Sequence, residues 1–313
     1  MRAIEHFPDG ISAIDTGYVQ PRLAASHIIQ RGGRAAFVDT GTTRSLPKLL
    51  AGLEENNIPL EYVDYVFITH VHLDHAGGAG AIMQQLPNAT LVAHPRAAKH
   101  LAVPTQLVEA TNAVYGEKTF KRLYGEIIPV PESRIRVVHD GERLFLGGSP
   151  LDFLHTTGHA LHHYCIHDRE ANVMFTGDTF GVSYREFDTA KGAFIFPATT
   201  PTHFDPEQAH ASIDRLLSLN TEAAYLTHYS RVENLDKLAE DLHGDLVAFV
   251  EIARRCEARE DRIDEMKRMM HAYLCARLDE HGFPDDARRR DDWLNMDVDL
   301  NAKGLSAWLD REA

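Results

Sequence analysis

The 313-residue sequence has few cysteines and no long apolar run. Its three cysteines, Cys165, Cys256 and Cys275, are odd in number and widely spaced, so a disulfide framework is not expected and a reducing compartment is favoured. No stretch has the length of apolar sequence that a membrane span needs, and the residues after Met1 lack the apolar core of a signal peptide. These features predict a cytoplasmic protein that does not bind or span a membrane.

The sequence also lacks an excess of positive charge. It has 46 acidic residues against 32 lysines and arginines, which gives a formal net charge of −14. A surface of that sign repels the phosphates of nucleic acids and of anionic lipids, so neither is expected as a partner. The hydrophobic content of 44% is ordinary for a globular protein with a sizeable core.

Short β-rich segments dominate the first 235 residues. Their patterns predict strands over residues 11–18, 35–39, 65–69, 134–139, 143–146, 151–155, 164–167, 172–176 and 223–226. Helices are predicted over about 43–57, 79–86 and 206–219, and a mostly helical insert over about 96–126. The start of the third helix is marked by Asp205 as cap and Pro206 at the first helical position. Strands that end in polar residues before helices indicate a layered α/β domain.

Residues 236–313 are charged and helical in pattern, which predicts a helical extension packed on a core domain of residues 1–235. One helix of the extension carries an apolar stripe made of Ile263, Met266, Met270 and Tyr273. The stripe is expected to pack on the core, although it could equally close a homodimer. Gly282 and Pro284 end that helix, and a short terminal helix is predicted around Leu305, Trp308 and Leu309.

The strongest chemical signal follows the predicted strand at 65–69. Within six residues the chain places His70, His72, Asp74 and His75, and Gly77-Gly78 comes next. Side chains two apart on an extended segment point the same way, so His70 and His72 can bind one ion. The turn that follows directs Asp74 and His75 to a second ion. Imidazole and carboxylate together suit zinc or iron, and manganese less readily.

The HxHxDH pattern resembles the signature of the metallo-β-lactamase superfamily. That resemblance implies three further ligands downstream, each after a β-like run, and the sequence has all three in order. They are His159 in Thr156-Thr157-Gly158-His159, Asp178 after Thr176-Gly177, and His228 after Thr227. The resemblance implies the αββα sandwich of this superfamily, with two sheets packed face to face between helices. It covers residues 10–235.

The resemblance also implies how the ligands divide between two metal ions. The first ion would take His70, His72 and His159, the second Asp74, His75 and His228, and Asp178 would bridge them together with a water or hydroxide. Two cations that share a water lower its pKa into the neutral range and polarise the bond under attack. Asp74 would orient that water, so Asp74 and Asp178 are the predicted catalytic residues. Two divalent ions are therefore the expected cofactors, with zinc favoured over iron.

The site departs from several branches of the superfamily. Asp178 as a bridge resembles glyoxalase II and the phosphodiesterase branch, whereas the antibiotic-hydrolysing β-lactamases lack that carboxylate. His72 stands where flavodiiron proteins have a glutamate, and persulfide dioxygenases keep the motif around a single iron. The acidic chain does not offer the basic surface of the tRNA-processing relatives. The resemblance is to stand-alone microbial hydrolases similar to glyoxalase II.

Residues next to the ligands are candidates for substrate binding. His163 follows His159 by four residues and either contacts substrate, supports a ligand or is structural. Tyr229 and Arg231 follow His228, and Arg231 either clamps an anionic group or forms a surface ion pair. Five aromatic residues after Asp178 either pack in the core or form an apolar wall over the site; they are Phe180, Tyr184, Phe187, Phe194 and Phe196. Tyr115 and Tyr124 of the insert are either structural or line the entrance.

The predicted function is hydrolysis of an ester, thioester or lactone of a small molecule by a metal-bound hydroxide, with a hydroxyacyl thioester favoured. One alternative is a diiron protein that binds or reduces dioxygen. A second alternative is a metal-binding regulatory protein with little turnover. The metal itself distinguishes the first two, because iron absorbs visible light and responds to oxygen while zinc does neither.

Overall fold

The computed structural model describes residues 4–200, 203–284 and 286–312, with the side chains at 114 and 115 left out of the description. The chain divides into two compact units. The larger unit comprises Met1–His155, His162–Gly177 and Ala224–Arg231, and the smaller comprises Thr156–Leu161, Asp178–Ala223 and Val232–Ala313. The predicted boundary near residue 235 stays a prediction.

The larger unit holds two β-sheets. Only two of their residues, Ala223 and Val232 at the ends of two strands, are assigned to the smaller unit. The first sheet has seven strands in chain order: β1 Ile4–Phe7, β2 Ile11–Asp15, β3 Ala25–Arg31, β4 Arg34–Val38, β5 Val63–Ile68, β6 Thr90–Ala93 and β7 Ile135–Val137. Strands β1 to β4 pair antiparallel and β4 to β7 pair parallel. Parallel neighbours need crossover connections, and helices supply them.

The second sheet has six strands: β8 Arg143–Leu146, β9 Ser149–His155, β10 Tyr164–Asp168, β11 Val173–Gly177, β12 Ala223–Leu226 and β13 Ser230–Val232. As in the first sheet, strands that are neighbours in this sheet are consecutive in the chain, from β8 at one edge to β13 at the other. The two sheets pack face to face through aromatic rings. Phe67 of β5 lies 5.3 Å from Phe153 of β9, and His27 of β3 lies 5.4 Å from Tyr225 of β12.

Six helices belong to the larger unit: α1 Leu46–Glu55, α2 Leu73–Ala76, α3 Ala79–Gln85, α4 Pro95–Ala102, α5 Thr105–Tyr115 and α6 Glu117–Tyr124. Leu49 of α1 and Ile82 of α3 share an apolar cluster with Val66 and Ile68 of β5. Phe67, between them in sequence, faces the second sheet, as the two-residue period of a strand requires. Helices therefore cover the outer face of the first sheet.

The smaller unit is mostly helical, with α7 Pro206–Leu217, α8 Leu235–Cys256, α9 Arg262–His281 and α10 Ala287–Glu312. Asp205 caps α7 by accepting a hydrogen bond from the Gln208 N–H at 2.9 Å, as its sequence predicts. The predicted fold class of two sheets with helices and a helical C-terminal extension is confirmed. The terminal helix was predicted too short, since α10 has 26 residues.

The stripe on α9 differs from the predicted one. Its buried members are Met266, Met270, Leu274 and Leu278. A strict spacing of four keeps these side chains on the face that packs against α8 and α10. Ile263 and Tyr273 lie at the edges of that face and are half-buried. A homodimer stays a prediction.

The five aromatic residues after Asp178 are core residues of the smaller unit, each at most 1% exposed. The ring of Tyr184 lies 4.9 Å from Trp293, and its hydroxyl donates a hydrogen bond to Asp297 at 2.9 Å. Phe187 meets Phe283 edge-on at 5.2 Å. These contacts attach the segment to α10 and to the loop between α9 and α10, so it is packed inside this unit and does not form an exposed wall. Among the described residues, no helix is long and apolar enough to cross a membrane.

Candidate metal centre

The HxHxDH segment lies between β5 and α2 at the end of the first sheet. His70 lies two residues after the end of β5, His72 is the N-cap residue of α2, and Asp74 and His75 are inside this single helical turn. The segment after β4 supports the turn, because the His75 carbonyl accepts hydrogen bonds from the N–H and hydroxyl of Thr40 at 2.7 and 2.9 Å. The backbone therefore holds the ligand side chains in a defined orientation.

Asp74, His75 and His228 form one candidate cation site in the larger unit. One ligand atom from each lies within 4.8 Å of the others. The Asp74 Oδ2 atom is 3.2 Å from His228 Nε2 and 3.7 Å from His75 Nε2. Bonds of about 2.0–2.1 Å in a tetrahedral arrangement separate neighbouring ligand atoms by about 3.3 Å. The three residues thus have the spacing that a divalent cation needs.

The hydrogen bonds of these two histidines fix which nitrogen faces the site. His228 Nδ1 lies 2.8 Å from the Leu23 carbonyl oxygen, and His75 Nδ1 lies 2.8 Å from Asp39 Oδ2. Both partners are acceptors, so each Nδ1 carries a proton and Nε2 is the nitrogen that faces Asp74 and can bind a metal. Metal-bound histidines in proteins are held in this way.

His70 and His72 form a second group in the same unit. Their rings are 4.4 Å apart, and their ligand atoms also lie within 4.8 Å of each other. The Thr69 hydroxyl donates a hydrogen bond to Asp39 Oδ2 at 2.9 Å, and its oxygen can therefore accept one from His70 Nδ1 at 3.2 Å. His70 then has the same tautomer as His75 and His228.

Asp39 joins these groups, and it was not predicted from the sequence. This carboxylate is fully buried and accepts hydrogen bonds from the Thr69 N–H at 2.9 Å, from the Thr227 hydroxyl at 2.8 Å and from His75. It follows β4 at φ +56, a left-handed conformation that aspartate tolerates better than most residues. The only local signal is an aspartate at a strand end before Thr40-Gly41, a pattern that is typical of an ordinary turn.

His159 and Asp178 lie in the smaller unit, where His159 Nε2 is 3.4 Å from Asp178 Oδ2. His159 Nδ1 donates to the Ala198 carbonyl oxygen at 3.0 Å, so Nε2 is again the nitrogen that can bind a metal. Gly158 makes the turn feasible: its φ is +118, and a Cβ there would lie 2.4 Å from the backbone nitrogen of Ala209. The turn can therefore pack directly on α7.

The predicted substrate contacts are more buried than expected. His163 has no exposed surface, its ring lies 4.9 Å from that of His70, and its Nε2 would be 2.5 Å from a Cβ at Gly177. Tyr229 is 3% exposed with the Arg22 guanidinium over its ring, and burial raises the pKa of its phenol although Arg22 opposes this. Arg231 hydrogen-bonds to the Tyr225 phenol. Their roles toward a substrate stay predictions.

Of the two tyrosines predicted to be structural or to line the entrance, only Tyr124 has a described side chain. Tyr124 is buried in α6, where its hydroxyl lies 3.0 Å from that of Tyr18 and the two rings stack at 5.8 Å. This contact is structural and attaches the insert to the loop after β2. The side chain of Tyr115 lies outside the described part of the chain.

Comparison with known proteins agrees with this arrangement. The model of the metallo-β-lactamase superfamily matches residues 19–228, which include every predicted ligand. The metallo-β-lactamase fold-containing protein ST1585 of Sulfurisphaera tokodaii is 24% identical over 224 residues, which are 70% of this chain and 78% of that protein. The crystal structure of ST1585 has a TM-score of 0.68 at 20% identity and covers 97% of this chain and 99% of that chain.

Two relatives have enzyme names. The hydroxyacylglutathione hydrolase of Aeromonas hydrophila is 25% identical over 66% of this chain and 62% of its own length. The human acyl-coenzyme A thioesterase MBLAC2 is 28% identical over 54% of this chain and 63% of its own length. In both, the match covers less than two-thirds of the relative. Since the family model covers most of the chain and all of its candidate ligands, the protein belongs to the metallo-β-lactamase superfamily.

Proposed function

We propose that this metal-dependent hydrolase cleaves an ester-type bond of a small molecule, with a thioester as the favoured substrate. The observation that carries the proposal is the cluster of Asp74, His75 and His228, whose ligand atoms have metal-like spacing and whose imidazoles have fixed tautomers. The names of the Aeromonas hydrolase and the human thioesterase support the thioester. The hydroxyacyl group predicted from the sequence stays one candidate for the acyl part.

In this proposal seven side chains would hold two divalent ions. His70, His72 and His159 would hold the first, Asp74, His75 and His228 would hold the second, and Asp178 would be shared. Chain connectivity supports the combination. The short segment with His159 joins β9 to β10, and Asp178 directly follows β11. When bound, two such ions lower the pKa of a shared water and polarise the carbonyl oxygen of the substrate.

The side chains supply the remaining requirements. Five neutral imidazoles and two carboxylates leave the loaded site with net positive charge, which attracts a carbonyl oxygen and the developing oxyanion. The Asp74 side chain is 21% exposed, so it can reach solvent and accept a hydrogen bond from the attacking water. Asp178 is only 5% exposed, which suits a purely ligating carboxylate.

The test begins with elemental analysis of protein purified without added metal, together with visible spectra taken with and without oxygen. About two zinc ions per chain and no colour support the hydrolase, and hydrolysis of a panel of thioesters and lactones should then disappear on chelation and return with metal. Two irons with an oxygen-dependent band would favour the diiron alternative. Tight binding of a panel compound without turnover of any of them would favour the second alternative, a metal-binding regulatory protein.

We expect His163→Ala to retain both metals. Its ring supports His70 from a fully buried position but belongs to neither group of candidate ligands. Removing it should lower stability by about 1–3 kcal/mol through the lost packing. Metal content by elemental analysis and urea unfolding measure the two effects separately. Loss of a full metal equivalent in this variant would mean that His163 is itself a ligand.

A further inference from the structure

His94 is a buried histidine beside the ligand segment that takes no part in the proposed metal centre. It directly follows β6, the parallel neighbour of β5, and the register of the two strands pairs Ile68 with Ala93. One position further on, the backbones of Thr69 and His94 therefore lie about 4.8 Å apart, which is one strand spacing. Since Thr69 immediately precedes the ligand His70, His94 lies in the larger unit at the same end of the sheet as that ligand.

The ring of His94 faces the space between the two sheets. Leu91 and Ala93 of β6 belong to the apolar cluster on the helix-covered face, so the next side chain points the opposite way. There its ring contacts the ring of His155, at the end of β9, with the centroids 4.1 Å apart. His155 is itself anchored, because its Nε2 donates to the Val138 carbonyl oxygen at 3.1 Å. The ends of two strands thus hold the His94 ring in place.

The start of α4 fixes the tautomer of His94. Its side chain caps this helix, since Nδ1 accepts a hydrogen bond from the Arg96 N–H at 3.0 Å. A ring nitrogen that accepts carries no proton, so the proton of the neutral ring is on Nε2. His94 is 6% exposed, and no group in the described part of the chain accepts a hydrogen bond from Nε2–H. Buried donors are normally paired, so this one is open to an acceptor on water or on a bound molecule.

The ring of His94 also stays neutral. Burial first, and then the neighbouring charges of His155, Arg96 and His139, lower the pKa of His94 to about 4. The helix cap agrees with this direction, because only the neutral ring can accept the Arg96 N–H. His94 therefore presents the same uncharged N–H donor in neutral and mildly acidic solution. Such a donor can bind an uncharged oxygen without attracting free anions, as a lysine or arginine would.

We infer that His94 is a substrate-binding residue, whose Nε2–H donates a hydrogen bond to an oxygen on the acyl part of the substrate, beside the carbonyl that is attacked. The inference rests on the proposed thioester hydrolysis for the kind of substrate. It predicts that His94 favours acyl groups with a hydroxyl on the α or β carbon. An unsubstituted acyl group would instead cover Nε2–H without giving it an acceptor, which costs binding energy.

Two substitutions separate this role from that of a helix cap. His94→Asn keeps a side-chain oxygen that can accept the Arg96 N–H at the cap position, but it has no donor that reaches as far as Nε2. His94→Ala removes both functions and should also unfold at a lower urea concentration. If His94 only caps α4, His94→Asn should behave as wild type. His100→Asn, in the last turn of the same helix, is the matched control.

Kinetics are measured with thioesters of N-acetylcysteamine that carry propionyl, α-hydroxypropionyl or β-hydroxypropionyl groups. The informative quantity is kcat/KM for the better hydroxylated ester divided by kcat/KM for the propionyl ester. Relative to wild type, this ratio should fall about 3- to 10-fold in both His94→Asn and His94→Ala, since one hydrogen bond is lost. It should be unchanged in His100→Asn. In wild type it should stay constant between about pH 5.5 and 8.5, because the ring of His94 does not titrate there.

Binding without turnover is followed with the N-butyl amides of the same three acyl groups, using NMR of protein with isotope-labelled histidine. The Nε2 resonance of His94 should shift with a hydroxylated amide and not with the propionyl amide. That result supports the inference even if no thioester is cleaved, an outcome that would sink only the proposed reaction. A wild-type ratio in His94→Asn, or equal shifts with all three amides, overturns the inference and leaves thioester hydrolysis intact.

Discussion

The Asp178→Ala protein is expected to bind fewer than two metal ions per chain and to lose at least about a hundredfold in hydrolytic rate. Asp178 lies 3.4 Å from His159 Nε2 and is the one carboxylate assigned to both ions. Without it, both ions would lose a carboxylate ligand, and only the shared water or hydroxide would remain to offset the repulsion between the two cations. Elemental analysis after dialysis, followed by the thioester assay, measures both effects.

Two further variants make that result specific. Asp178→Asn keeps the side-chain shape while removing its charge, and it should lose metal almost as completely as the alanine variant. Asp188→Ala removes an exposed aspartate from the same segment and should behave as wild type. Full occupancy by two metals in Asp178→Ala would disprove the shared-ligand assignment.

We expect Asp39→Asn to weaken metal binding by about 10–100-fold, although this residue is not itself a proposed ligand. Its carboxylate accepts hydrogen bonds from His75, Thr69 and Thr227, and through them it sets the tautomers of His75 and His70. An amide has one acceptor oxygen and adds two donors, so at least one of these bonds must break. Competition with a chromophoric chelator measures the affinity, and urea unfolding of the metal-free protein should show a loss of about 2 kcal/mol.

Asp168→Asn is the matched control for that experiment. Asp168 is also fully buried in the larger unit, where it forms an ion pair with Arg31 and accepts from the Glu170 N–H at 3.1 Å. Breaking this pair should cost about 3–5 kcal/mol of stability and leave metal affinity unchanged. If both variants bind metal as tightly as wild type, Asp39 is structural only.

Local signals in the sequence were sufficient where one short segment contains the whole interaction. The cap and proline at Asp205-Pro206 start α7, and Gly282 ends α9, because each acts on the backbone within one turn. The β8 and β12 bounds were predicted correctly as Arg143–Leu146 and Ala223–Leu226. The metal-binding motif could also be predicted from the sequence, since four of its ligand residues lie within six positions.

Segments whose burial depends on distant partners were not predicted. The β3 strand contains Ser26, His27 and Gln30, which obscure a strand pattern. Ser26 and His27 are nevertheless buried, and His27 packs against Phe175 and Tyr225 of the second sheet. His27 is tolerated there as a neutral ring: burial lowers its pKa to about 4, against the opposing charge of Asp39. The terminal helix was predicted too short for a related reason. The many charged residues of α10 obscure the pattern of its buried face, which includes Leu294, Val298 and Leu305.

The sequence by itself determined the chemistry of the ligands and a layered α/β domain, because these depend on residue types at close spacing and on local periodicity. The superfamily and its sandwich fold followed from the resemblance of the ligand motifs to a known family. Only the tertiary structure decided that Asp39 governs the histidine tautomers, that the aromatic segment after Asp178 is core, and that the rings of His94 and His155 meet between the two sheets. Each of these depends on residues far apart in the chain, from Asp39 to Thr227 at the extreme. Such contacts leave no local pattern, since burial and hydrogen bonding are settled by which surfaces meet when the chain folds.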